Sequence, residues 1–179
     1  MSNIVILIGS MRKGGNTDLL ARRFAEGARK NNHVEVISVA DHDVAPCIGC
    51  NRCYTSEGNR CFRHDDMDDI YDKLSHADIV VIASPVYFYG ISAKLKAIID
   101  RLHAPVRNSF PIKRLGLLLV GATTVPNLFN SINVQYESTL KFFGLRDIGR
   151  IFVDGVKDIG DIEGNGALEE AYELGLSVE

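Results

Sequence analysis

The chain has 179 residues, enough for one domain around one sizeable core. Hydrophobic residues make up 46% and charged residues 24%, which excludes a disordered chain. A net charge of −3 offers no basic field for nucleic acid or anionic lipid, and no apolar run approaches the roughly 18 residues that span a bilayer. The opening Met1-Ser2-Asn3-Ile4 has no basic stretch and runs straight into apolar residues, so a cytoplasmic location without a secretory signal is expected.

The first predicted element is the strand Ile4-Val5-Ile6-Leu7-Ile8, a continuous β-branched run of the kind buried on both faces of a parallel sheet. The loop behind it reads Gly9-Ser10-Met11-Arg12-Lys13-Gly14-Gly15-Asn16-Thr17, and a helix follows with Leu20, Phe24 and Ala28 on one face. A helix N-terminus presents unpaired N–H groups and partial positive charge, which suits a phosphate. Ser10, Asn16 and Thr17 add short donors, Arg12 adds charge, and Gly14 and Gly15 let the backbone bend close to an anion. Neither a dinucleotide fingerprint nor a P-loop fits, because Met11 replaces the second glycine of one and Gly15-Asn16 the Lys-Ser/Thr of the other. A plain capped turn is the alternative to a phosphate site.

Val34 to Val39 is the second strand candidate. Behind it lie Cys47, Cys50, Cys53 and Cys61 within 15 residues, in the spacing C-x₂-C-x₂-C-x₇-C. In a reducing compartment such bunching points to a metal or redox site and away from a disulfide frame. Three cysteines in this cadence open like a ferredoxin run, which places a [4Fe–4S] cluster above zinc; reactive or inert thiols are the other readings. Arg52, Arg60 and Arg63 stand nearby, to balance thiolate charge or simply to be solvated.

A short helix opens at Asp65-Asp66-Met67 and runs to about Leu74. The third strand, Ile79 to Ala83, ends in Ser84-Pro85-Val86-Tyr87-Phe88-Tyr89-Gly90. Its three aromatics suit stacking on a planar ring, or else filling a core or a subunit contact, and Pro85 and Gly90 shape the turn. Leu95, Ile98, Ile99 and Leu102 mark the next helix. Leu115 to Val120 is the fourth strand, ending in the small-residue loop Gly121-Ala122-Thr123-Thr124, which would admit a flat ligand. Ile132, Tyr136, Leu140 and Phe143 line a helix, Ile148 to Val153 is a fifth strand, and Gly155 to Gly166 is a surface loop. Leu168, Ala171, Tyr172 and Leu176 line the last helix. This β-α alternation reads as one doubly wound α/β domain, residues 1–179, with helices on both faces and a Cys-rich loop at 46–62. Right-handed crossovers put the loops after Gly9, Val39, Ser84 and Val120 on one edge of the sheet, where ligands of open α/β sheets bind. His42, His64 and His103 read as surface or packing residues, and no acid–base dyad or nucleophile triad is visible.

Three blocks together, Gly-Ser-x-Arg-x-x-Gly-Asn-Thr, Ser-Pro-Val-Tyr-Phe-Tyr-Gly and Ser-x-x-Leu-Lys-x-x-Ile-Asp-Arg (Ser92 to Arg101), resemble the NADPH-dependent FMN reductase and iron–sulfur flavoprotein family from about Ile4 to Val120. The resemblance implies a flavodoxin-like five-stranded parallel sheet of order 2-1-3-4-5 that binds FMN. It places Ser10, Arg12, Gly15, Asn16 and Thr17 at the phosphate. Pro85, Val86, Tyr87, Phe88 and Gly90 fall along the ring system and ribityl chain, with Gly121 nearby. It also implies a homodimer or homotetramer. The isoalloxazine would accept hydride or single electrons, with the protein positioning it. The expected function is an FMN-dependent oxidoreductase moving electrons from NAD(P)H or a protein donor to a small oxidant or carrier, with a [4Fe–4S] cluster on Cys47, Cys50, Cys53 and Cys61. A dedicated iron–sulfur electron carrier and a non-enzymatic domain with a zinc-stapled loop are the alternatives.

Overall fold

Alternate residues of the first strand serve two different cores. In the computed structural model, which describes residues 1–179, β1 (Asn3–Ile8) sends Val5 and Leu7 to one face and Ile4, Ile6 and Ile8 to the other. On the first face lie α2 (Met67–Leu74), α3 (Ala93–Arg101) and α4 (Asn130–Phe143). On the second lie α1 (Asn16–Ala28) and α5 (Ala167–Leu176). A strand buried on both faces needs apolar residues at every position, which is why β1 shows no polar alternation.

The other strands are β2 (His33–Ser38), β3 (Ile79–Pro85), β4 (Arg114–Val120) and β5 (Arg146–Val153). All pairings are parallel, in the order β2-β1-β3-β4-β5. This is the flavodoxin-like, doubly wound arrangement expected from the sequence. β5 starts two residues earlier than its apolar run. Its pairing slips between Leu115 and Leu117, where Gly149 takes a φ of +135°.

The ladders run one residue beyond several strands: Gly9 N–H donates to Ala83 C=O (2.7 Å), Val86 to Val120 (2.8 Å) and Gly121 to Val153 (2.7 Å). The loops that follow therefore leave the sheet side by side. No helix is long and apolar enough to cross a membrane.

Candidate functional site

A cleft of about 140 Å³ opens at this carboxyl edge. It is lined by Ser10, Arg12, Gly15, Asn16 and Thr17 after β1, Pro85, Val86 and Tyr87 after β3, Val120 and Ala122 after β4, and residues 156–159 after β5. A larger groove, about 250 Å³, lies at the opposite ends of β1 and β2. In it Lys73 pairs with Glu35 (3.1 Å), and the groove sits away from the edge where the ligand-type loops gather.

The first loop is shaped by its own side chains. Arg12 N–H donates to Ser10 Oγ (3.1 Å), and Gly14 N–H donates to Asp18 Oδ2 (2.8 Å) while Gly14 holds φ +71°. A left-handed turn at Gly14, closed by a carboxylate from the first helical turn, aims the start of α1 at the cleft. A Cβ on Gly15 would come within 3.0 Å of Arg12 Cβ, so the loop closes tightly there.

Asn16 is 8% exposed and its side chain is already engaged. Its Nδ2 donates to Asp158 C=O (2.8 Å), and its Oδ1 accepts from Gly160 N–H (3.2 Å) and Ile162 N–H (3.4 Å). Arg12 Nη1 donates to Lys157 C=O (3.3 Å). Asp161 Oδ2 accepts the N–H groups of Lys157 and Asp158 (2.9 and 2.8 Å), and these bonds hold its carboxyl below the usual range. Asn16 thus ties the β5–α5 loop to the helix start, and its own N–H is what remains for an anion. Thr17, 3% exposed, turns to the cleft beside it. Val156, Lys157, Asp158 and Ile159 form a wall of the cleft within the segment whose composition marks only a surface loop; the edge rule applied to the fifth strand gives this placement.

The aromatic loop is a two-residue hairpin. Tyr87 and Gly90 exchange backbone hydrogen bonds (2.9 and 3.0 Å), with Phe88 at φ +50° and Tyr89 at φ +63°. The left-handed positions thus fall on two bulky residues and not on Gly90, a strained choice of the kind found at functional sites. Tyr87 and Tyr89 are half-exposed and Phe88 fully so; none fills a core. The Ser131 hydroxyl donates to Tyr89 C=O and steadies the turn from α4. Gly121 does not line the cleft: a Cβ there would strike Leu128 Cδ2 at 2.3 Å, so its glycine serves the packing of the β4–α4 loop, and Ala122 faces the cleft.

The cysteines are near one another but not gathered. Cys47 and Cys50 are exposed, Cys61 is half-buried and Cys53 is buried against the core that includes Val44 and Met67. Burial pushes the Cys53 thiol up, and the other three cysteines add to this. No three Cys, His, Asp or Glu side chains converge on a point where a metal would sit. Asn51 turns left-handed (φ +57°), and the short 3₁₀ turn Arg52–Tyr54 that follows holds Cys53 against the core. Arg52 covers the Phe62 ring (4.7 Å) and Arg60 pairs with Asp72, so both have partners of their own. His42 packs against Ser38 C=O (2.8 Å), His103 against Tyr54 (ring centroids 5.5 Å), and His64 is exposed.

Residues 2–149 match the family model for NADPH-dependent FMN reductase. A curated iron–sulfur flavoprotein from Methanocaldococcus jannaschii is 41% identical over 123 residues, covering 67% of this chain and 62% of that protein. One from Methanosarcina thermophila is 35% identical over 106 residues, covering 59% and 54%. The matches thus span less than two thirds of these relatives' lengths. Among solved structures, an NAD(P)H:quinone oxidoreductase from Methanothermobacter marburgensis aligns over 99% of both chains with a TM-score of 0.75 and 15% identity, a likeness of fold. With a model match over most of its length and the cleft at the expected edge, the chain belongs to the NADPH-dependent FMN reductase family.

Proposed function

We propose that the protein is an FMN-dependent oxidoreductase that takes electrons from NAD(P)H or a protein donor and delivers them to a small oxidant or carrier. The observation that carries this is the cleft itself: it joins a charged helix N-terminus to a strained aromatic turn. The residues fit FMN. The N–H groups at the start of α1, Thr17 and Arg12 would hold the phosphate, and residues 85–87 would flank the ring system, with Phe88 and Tyr89 beyond them at the tip of the turn. Bound FMN would supply the redox chemistry. The protein's part would be to hold the phosphate at the start of α1 and to orient the ring along residues 85–87.

The test is FMN titration by flavin fluorescence, with Arg12→Leu as the probe. Losing a charge-assisted bond to phosphate should weaken binding about tenfold or more. Wild type that neither retains nor binds FMN would overturn the proposal. Mixing the loaded enzyme with NADPH and NADH then reads the donor.

A second reading adds a [4Fe–4S] cluster on Cys47, Cys50, Cys53 and Cys61, and is supported by the names of the two curated relatives. The donors are right in number and kind for it. Their arrangement is not, since Cys53 would have to leave the core edge to meet the other three. Iron and sulfide analysis of anaerobically prepared protein decides it: about four irons per chain support the cluster, and zinc alone supports a stapled loop. Self-association as a homodimer or homotetramer is also proposed, supported by Val134, Phe142 and Phe143 standing exposed along α4.

A further inference from the structure

Arg101 is the largest fully buried side chain, 2% exposed, and it is the last residue of α3. Its Nη1 donates to Ala45 C=O (3.0 Å) and to Asp65 Oδ2 (2.8 Å), and its Nη2 to Asp65 Oδ1 (3.1 Å). Asp65 Oδ2 also accepts Ala45 N–H (3.1 Å). One rung further out, Asp43 N–H donates to Asp66 Oδ2 (2.6 Å). Ala45 and Asp65 flank segment 46–64, which holds all four cysteines. A single guanidinium–carboxylate pair therefore closes the neck of the loop.

A buried ion pair seldom out-stabilises apolar residues of the same volume; what it fixes is one geometry. The planar, two-pronged contact suits that task, because only one relative placement of Ala45, Asp65 and α3 satisfies it. Tyr71 OH donates to Arg101 C=O (2.7 Å) and holds the end of α3 from α2. Arg101 Nε is buried with no partner, a loose end that plain core packing would avoid.

The other end of α3 is tied to the aromatic loop, whose first residues line the cleft. Ser92 caps it by accepting Leu95 N–H (3.4 Å), and Ser92 N–H donates to Ser84 Oγ (3.1 Å) at the start of the aromatic loop. Nine helical residues, about 13 Å, thus join the aromatic loop to the neck of the cysteine loop.

We propose that Arg101, gripped by Asp65, is the positioning residue of the cysteine loop, fastening both its ends to the helix that leads from the cleft. The pair keeps the thiols at a set place relative to that cleft and keeps Cys53 inside. The inference rests on the flavin reading only for its control measurement.

The test uses the 179-residue protein, metal-free and reduced. Thiol labelling by Ellman's reagent is compared in wild type, Arg101→Lys, Asp65→Asn and Ile151→Ala, with FMN affinity measured in parallel. Arg101→Lys keeps the charge but loses the fork. Ile151→Ala loosens the opposite face of the sheet and reports general destabilisation. Wild type should show fast labelling of the exposed thiols and a slow phase from Cys53. Arg101→Lys and Asp65→Asn should speed the slow phase at least tenfold with FMN affinity within twofold, and Ile151→Ala should change it less than threefold. An unchanged slow phase in the two neck variants, an equal rise in Ile151→Ala, or failure of both neck variants to fold would overturn the proposal. Wild type that binds no FMN would sink the flavin reading, while the labelling rates still decide this one.

Discussion

Asn16 is where residue type and residue role part company. Its position in the loop marks it for an anion, yet its amide serves residues 158–162, more than 140 positions away. Replacing it by Leu keeps the volume and removes all three bonds, leaving the buried Ile162 N–H without an acceptor. The expected loss is about 2 kcal/mol, read as a lower urea midpoint at unchanged slope. A loss below about 0.5 kcal/mol, the size of an ordinary surface change, would show that the loop holds itself. The same pattern recurs in the cleft. Thr17 and Arg12 were legible from the local motif. Lys157 and Ile159 were not, because nothing local separates a wall of a cleft from an exposed turn.

Helices α1 and α5 meet at glycines. A Cβ on Gly27 would sit 2.0 Å from Tyr172 C=O, and one on Gly175 would sit 2.1 Å from Phe24 C=O. By helix propensity alone Gly175→Ala should stabilise by about 1 kcal/mol. Here the backbones touch, and the clash should outweigh that gain and destabilise by about 1–3 kcal/mol. The melting temperature should drop by several degrees, at about 2–4 °C per kcal/mol for a chain this size. An unchanged or raised value would show that the two helices are free to move apart. The apolar stripe Leu168, Ala171, Tyr172 and Leu176 found the helix but not the contact, since a glycine gives no hydrophobic signal. At α4 the stripe overreaches instead: Phe143 continues it, yet stands half-exposed edge-on to Phe142.

Across the whole molecule, partly buried carboxylates set the response to acid. Burial pushes Asp65 and Asp147 up. The bonds from Arg101, Ala45 and Met67 to the first, and from Tyr136, Gly149 and Arg150 to the second, outweigh it and leave both low. A carboxyl lowered in the folded state adds stability above its unfolded value of about 3.9, and that stability is lost as the pH falls past it. The urea midpoint should therefore stay level from about pH 7 to 5 and fall below about pH 4, with a shallower fall in Asp65→Asn. An acid limb that Asp65→Asn leaves unchanged would remove the Asp65 part of this account. The five strands, the placement of most helices and the edge where the loops meet were determined by the sequence alone, because hydrophobic period and crossover handedness are local or general rules. The fate of the cysteines, the tie from Asn16, the Arg101–Asp65 neck and the wall after β5 were decided only by tertiary structure. Each depends on which distant backbone group a side chain meets, and no spacing along the chain encodes that meeting.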